Sequence, residues 1–279
     1  MSVDTAGPVQ SAPAAFGNDF RRFANLTYTL AVTDFKLRFF GSVLGYLWTL
    51  VRPLMLFGVI YVVFTQVVKF GEGVKDYPVY LLTSIVLFTF FSETTSRGVK
   101  ALVERENLLR KIRFPRLVIP LSVALAALFN LIANLVAVFV FVFASGISPR
   151  VDWVQMPLLV AMLAVLATGV TMLTSALYVR YRDVEPIWEV ALQVLFYASP
   201  VLYVVTSIPD DFEKLAASNP IATVLTQMRH ALIDPDAPTA VDVLGGWPGL
   251  AVPLAIVAAV FALGLWVFAR ETPRIAENL

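Results

Sequence analysis

The sequence predicts an all-α integral membrane protein: six transmembrane helices, an N-terminal amphipathic interfacial helix, and short re-entrant or interfacial helices before the last span. Three observations carry that prediction. Of 279 residues, 58% are hydrophobic and only 15% are charged, whereas a soluble domain carries roughly a quarter of its residues as charges. The mean hydropathy of +0.77 is therefore that of a chain solvated largely by lipid. The apolar residues also fall into stretches of about 20, the length that crosses the hydrocarbon core, and these stretches leave no room for a separate soluble domain.

Taken in order, Met1 to Ala15 is small and polar with Pro8 and Pro13, and lacks the basic-then-apolar order of a signal peptide. It reads as a disordered cytoplasmic tail, with one membrane domain over 16–279. Over about 18–40, Phe20, Ala24, Tyr28, Ala31, Phe35 and Phe39 recur at helical spacing, opposite Arg22, Asn25, Thr29, Thr33 and Lys36. Such a helix suits the headgroup layer. Six spans follow between about 48 and 269: Trp48 to Val68, Tyr77 to Ser96, Val118 to Ala144, Met156 to Val179, Ile187 to Val205 and Leu250 to Ala269. Pro200 interrupts the fifth, so a kink is expected there, or a helix that stops and re-enters. Between the last two spans, Phe212 to Ala217 and Ile221 to Leu232 are apolar but too short to cross, and Asn219-Pro220 punctuates them.

Lys and Arg concentrate on the cytoplasmic side of membrane proteins. With the N-terminus inside, only Lys69, Lys75, Arg150, Lys214 and Arg229 of the 21 basic residues fall outside, so both termini are expected in the cytoplasm. The net charge of +1 and the absence of cysteine point to no partner or compartment, and no nucleic-acid partner is expected.

No Gly-x-x-x-x-Gly-Lys-Ser/Thr phosphate loop occurs, so the chain is not its own conventional ATPase. The single histidine, His230, offers no catalytic constellation and reads as an interfacial polar residue. Asp210, Asp211 and Glu213 read as a solvated loop. Asn130 and Asn134 lie one turn apart on the third span and are costly in lipid, which predicts interhelical hydrogen bonds. Glu93 and Glu189, near span ends, have several possible partners. The segment Glu104 to Arg116 mixes both signs of charge with Leu108, Leu109, Ile112 and Phe114, and Phe114-Pro115 ends it. Composition alone leaves it either a positive-inside anchor or a docking helix for a partner protein.

The run Phe39-Phe40-Gly41-Ser42-Val43-Leu44-Gly45-Tyr46-Leu47-Trp48-Thr49-Leu50-Val51-Arg52-Pro53-Leu54 resembles the entry to the first span of ABC-2 type permeases that export lipid-linked O-antigen, capsule, teichoic acid or related glycans. Glu106 to Arg116 resembles that family's coupling helix, and Arg182-Asp183-Val184 its next cytoplasmic turn. Ser199-Pro200-Val201-Leu202-Tyr203, Asn219-Pro220 and Arg229 follow in the family's order. The resemblance covers about Phe20 to the C-terminus. It implies a homodimer in the bacterial inner membrane, two copies of a separate ABC ATPase that holds the ATP and magnesium, and no cofactor in this chain. It implies coupling to the ATPase through Glu106, Asn107, Leu108, Arg110, Lys111, Phe114, Arg116, Arg182 and Asp183, and a polysaccharide channel at the dimer axis.

Sugars present flat C–H faces ringed by hydroxyls, which aromatic rings match. Among 21 Phe, 9 Tyr and 5 Trp, the channel candidates are Tyr61, Phe88, Phe91, Tyr197 and Tyr203, although lipid-facing packing and interfacial belts account for most aromatics. Two other readings stay open: a small-molecule or drug exporter of the same superfamily, and an integral-membrane glycosyl- or lipid-transferring enzyme.

Overall fold

The computed structural model of the chain describes residues 20–39, 45–67, 73–111 and 114–278. The tail expected over 1–15, and the part of the entry motif at 40–44, lie outside these residues. All regular structure among the described residues is helical. The elements are α1 (Phe20–Phe39), α2 (Gly45–Val62, prolonged by a π turn at Val63–Val67), α3 (Tyr77–Glu104), α4 (Glu106–Lys111), α5 (Val118–Ala144) and α6 (Gln155–Arg180, preceded by a 3-10 turn at Val151–Val154). Then come α7 (Val184–Ala198), α8 (Asp210–Ala217), α9 (Pro220–Met228, prolonged by a π turn at Arg229–Ile233), α10 (Ala240–Val243) and α11 (Trp247–Asn278).

Five stretches are long and apolar enough to cross a membrane: Leu47–Val67, Tyr77–Glu104, Val118–Ala144, Val151–Arg180 and Trp247–Glu271. The hub is α3, 78% buried over its most apolar window against 11% for Leu47–Val67. It packs against α5 and α6, and Leu81, Leu82, Ile85 and Leu87 along it are essentially inaccessible. Lipid supplies no hydrophobic drive for helices to associate, so close backbone approach matters more than side-chain size. The α6–α11 contact shows this directly: a Cβ on Gly264 would lie 2.1 Å from the Gly169 carbonyl oxygen, and one on Gly169 would lie 2.8 Å from Phe261 Cα.

The fifth expected span is helical only to Ala198. At 1.5 Å per residue its 15 residues reach about 22 Å, short of the ~30 Å hydrocarbon core. Pro200 has no N–H to continue the ladder, and Ser199 before it is extended (φ −95°, ψ 148°). Non-helical backbone at membrane depth survives only where protein satisfies its polar groups. Here α3 does so: Tyr77 donates its hydroxyl to the Leu202 carbonyl at 2.7 Å, and Tyr80 reaches the Tyr203 carbonyl at 2.8 Å and the Pro200 carbonyl. From the other side Asn219 donates to Ser199 Oγ at 2.9 Å.

Neither short apolar piece spans, as expected. The first lies in α8, where Phe212 and Leu215 are exposed. The second forms α9, capped by Asn219 Oδ1 on the Ile221 N–H and started by Pro220. Unlike α8, it is buried throughout Pro220–Thr226. Asp234 closes its π turn between Arg229 (3.6 Å) and Lys75 (3.5 Å).

The interfacial helix forms, but its packed face is rotated from the predicted one. Phe23, Leu26, Thr27, Leu30 and Ala31 face the bundle, whereas Phe20 and Tyr28 are exposed. The bundle sets the packed stripe: α1 lies on α5, where Phe35 of the predicted face meets Phe129 edge-on at 5.9 Å and the largely exposed Tyr28 still reaches the same ring at 6.2 Å. Both of its faces thus carry apolar residues, one for the bundle and one left open.

Two expectations follow. Tyr80→Phe removes the single O–H that the Pro200 and Tyr203 carbonyls share, at nearly constant shape, and is expected to cost about 1–3 kcal/mol, read as a lowered Tm of the detergent-purified protein. Gly264→Leu forces α6 and α11 apart and is expected to cost about 1–3 kcal/mol or more, visible in the same melt, while substitution at exposed Leu263 leaves Tm near the parent value.

Candidate functional site

The residues expected to couple to a partner gather at one end of the bundle, where α3 runs into α4. Only Arg105 separates the two helices, and its carbonyl accepts the Leu108 and Leu109 N–H groups at 3.0 Å. Glu106 opens α4, where a carboxylate suits the positive helix end. Leu108 and Leu109 turn inward onto a core formed by Ala101, Leu102, Leu117, Val118 and Phe268, and Phe114 is buried in that core at 9% exposure. Leu108 and Phe114, expected to couple to a partner, thus also anchor the helix to its own chain. Arg116 is half-buried, with Nη1 enclosed and lacking a hydrogen-bond partner, and burial pushes its guanidinium below its ordinary value. Asn107, Arg110 and Lys111 belong to α4; the placement of their side chains lies outside the described residues.

The Arg182-Asp183 turn comes to the same end. Arg182 sits 4.9 Å over the Tyr178 ring, and the Asp183 carbonyl accepts the Ile187 N–H as α7 begins. Two ion pairs complete the assembly: Arg105 bonds Asp34 of α1, and Lys100 bonds Glu185 of α7. Tyr178 adds a hydrogen bond to Glu185 at 3.1 Å. The end of α3 therefore holds α1, α4 and α7 at once. Around it lies a cavity of about 500 Å³, lined by Asp34, Lys100, Arg105, Glu185, Trp188 and Glu189 among others. Asp34, Lys100 and Glu185 escaped sequence reasoning because their partners lie 71 and 85 positions away along the chain. The only sequence signal was a charge placed next to a span.

The five aromatic candidates part company. Phe88 and Phe91 are packing residues, 6% and 2% exposed, with rings set against Phe196 (5.1 Å) and Trp188 (6.5 Å) of α7. Tyr61 is half-buried and stacks on Phe57 at 5.7 Å. Tyr203 packs on the main core and donates its hydroxyl to the Tyr197 carbonyl at 3.1 Å. Tyr197 alone of the five is largely open, at 68% exposure. Asn130 donates to Glu93 of α3 at 2.6 Å, the interhelical role expected of it, whereas Asn134 donates to the Asn130 carbonyl at 2.9 Å within α5. Glu93 also pairs with Arg97 at 3.2 Å. His230 Nδ1 lies 2.7 Å from the Ala237 carbonyl, a structural contact.

The ABC-2 type transporter family matches residues 25–233. The O-antigen export system permease protein RfbA of Myxococcus xanthus is 28% identical over 264 residues, covering 92% of this chain and 96% of that protein. An O-antigen export system permease protein RfbA of Klebsiella pneumoniae is 28% identical over 75% of this chain and 81% of its own length. The polysialic acid transport protein KpsM of Escherichia coli is 20% identical over 73% and 80%.

The Lys100 hydrogen bond holds the Glu185 carboxyl below its ordinary value of 4.5. A depressed folded-state pKa stabilises the fold above the unfolded value, and that contribution is lost as pH falls through the folded value. The Tm difference between the parent and Glu185→Gln is therefore expected to be present at neutral pH and to shrink through the acid carboxylate range.

Proposed function

We propose that this chain, which belongs to the ABC-2 type transporter family, moves a lipid-linked polysaccharide across the bacterial inner membrane as a homodimer served by two copies of a separate ATPase. It is the multi-pass membrane subunit of an ATP-binding cassette exporter, and ATP hydrolysis lies in that separate nucleotide-binding subunit. The observation that carries the cargo is the near full-length match to an O-antigen export permease, supported by the likeness to a polysialic acid transport protein. A drug exporter has no comparable support. In this reading both termini face the cytoplasm, and ATP and magnesium are held by the partner, with no cofactor in this chain.

The geometry suits such a coupling. Leu108, Leu109 and Phe114 fix α4 to the bundle, and a 100° advance per residue puts positions 106, 107 and 110 on the face opposite Leu108 and Leu109. Docking therefore uses Glu106, Asn107, Arg110 and Lys111, with Arg116, Arg182 and Asp183 beside them. Nucleotide binding favours one state of the ATPase over another, and the permease reads the difference as a shift of α4. The Arg105–Asp34 and Lys100–Glu185 pairs pass that shift to α1 and α7. No bond is made or broken in this chain.

The test is charge reversal at the docking face. Arg110→Glu with Lys111→Glu is expected to abolish co-purification of the ATPase and export of the cell's glycan, while the permease keeps its yield and Tm. An intact complex with undiminished export is the contrary result.

A further inference from the structure

The cavity at the α4 end of the bundle is walled by α1, α3, α5 and α7, and its charges do not balance. Asp34, Glu104, Glu185 and Glu189 line it together with Arg97, Lys100 and Arg105, four carboxylates against three cations. Each cation already has an acid: Arg97 has Glu93, Lys100 has Glu185 and Arg105 has Asp34. Glu104 and Glu189 are exposed and hold no ion pair among the described residues, Glu104 acting on Lys100 only through space. Ser96 and the Trp188 ring complete the polar wall, and Leu37, Val99, Val123 and Ala126 supply the apolar one. Spare carboxylates beside an indole suit an ammonium group, which donates hydrogen bonds to the acids and is attracted to the ring face. An anionic group finds the opposite, since every cation lining the cavity is matched.

The cavity also lies at the level of the lipid headgroups. Phe268 of α11 packs with Ala101 and Leu102 of α3, and two residues before it Trp266 is exposed, with Arg270 5.4 Å from its ring. An exposed tryptophan and a basic residue at the end of a span mark the membrane interface. From that level the lining reaches Val123 and Ala126, about 8–12 Å along α5 from its first residue. Its flank is apolar and open: Leu37 is exposed, as are Ile187 and Val190, which flank Glu189 in sequence. A ligand with a cationic head and an apolar body fits both halves. We infer that this cavity holds the headgroup of a resident zwitterionic phospholipid with a primary ammonium, the ammonium on Glu104 and Glu189 and the acyl chains leaving over Leu37. Such a lipid bridges α3 and α7 at the junction of the two ion pairs. The assignment concerns a bilayer lipid and stands whatever the exported cargo.

The test uses the full chain purified in detergent, alone and with its ATPase. Each preparation is incubated with an equimolar mixture of phosphatidylethanolamine, phosphatidylcholine and phosphatidylglycerol of the same acyl chains. The lipid retained per permease after gel filtration is then measured by mass spectrometry. Phosphatidylethanolamine is expected to be enriched several-fold over the other two, because its ammonium donates three hydrogen bonds, the choline head none, and the glycerol head carries no cation. Glu104→Gln with Glu189→Gln, both at exposed positions, is expected to keep the parent Tm and lose the enrichment. Equimolar glycerophosphoethanolamine, the same head without acyl chains, is expected to leave the enrichment intact. The inference is overturned if the three lipids are retained alike by the parent, or if the double variant keeps the preference. Displacement by glycerophosphoethanolamine also overturns it, since the site then takes a soluble amine. So does a preference seen in the permease alone and lost in the complex, which assigns the two carboxylates to the ATPase.

Discussion

A chain crossing lipid has no solvent to accept its unpaired backbone groups, and the structure turns on one place where α-helix cannot supply the pairing. Pro200 stops α7 short of a full crossing, and the backbone that continues must find donors elsewhere. Tyr77 and Tyr80 provide them from the most enclosed helix of the bundle, delivering hydroxyls to the carbonyls of Pro200, Leu202 and Tyr203. Arg229, 6.0 Å over the Tyr80 ring, and Asp234 tie the following buried hairpin to the same spot. The place where α7 ends and the start of α9 beside it, where Asn219 bonds Ser199, belong to that arrangement.

The opposite end of α3 does a different task with different chemistry. There the contacts are ionic and peripheral, linking α3 to α1 and α7. Half-exposed pairs such as Lys100–Glu185 are individually weak and exchange partners at low cost, which suits a junction that must shift. The tyrosine clamp and the close α6–α11 backbone contact are neutral, short and enclosed, which suits a region that must stay put. One helix thus joins a rigid end to a yielding one, and α4 is attached at the yielding end.

Hydropathy and spacing made the helical membrane class, most of the span limits and the break at Pro200 legible, because each is a local property of length, apolarity or backbone geometry. The interhelical bond of Asn130 was legible for a related reason: an amide in lipid has to find a partner, whatever the fold, although Asn134 finds its own within α5. Side-chain direction was not. The packed stripe of α1 came out rotated because α5, not the membrane surface, covers it. Leu108 and Phe114, expected at the docking surface, also pack on the core of their own chain. Phe88 and Phe91, expected at a channel, pack between α3 and α7. In each case an apolar residue at helical spacing is compatible with lipid, core or ligand, and periodicity does not distinguish among them.

The sequence by itself determined that this chain lives in a bilayer, where most of its spans fall, and which motifs it shares with glycan-exporting permeases, since all of these are written in residues near one another. Only the tertiary structure decided which neighbours meet: that two tyrosines of α3 satisfy a broken helix some 120 positions away, and that Asp34 and Glu185 close on the end of α3. Those contacts join segments far apart in the chain, and they exist only once the apolar surfaces between them have packed.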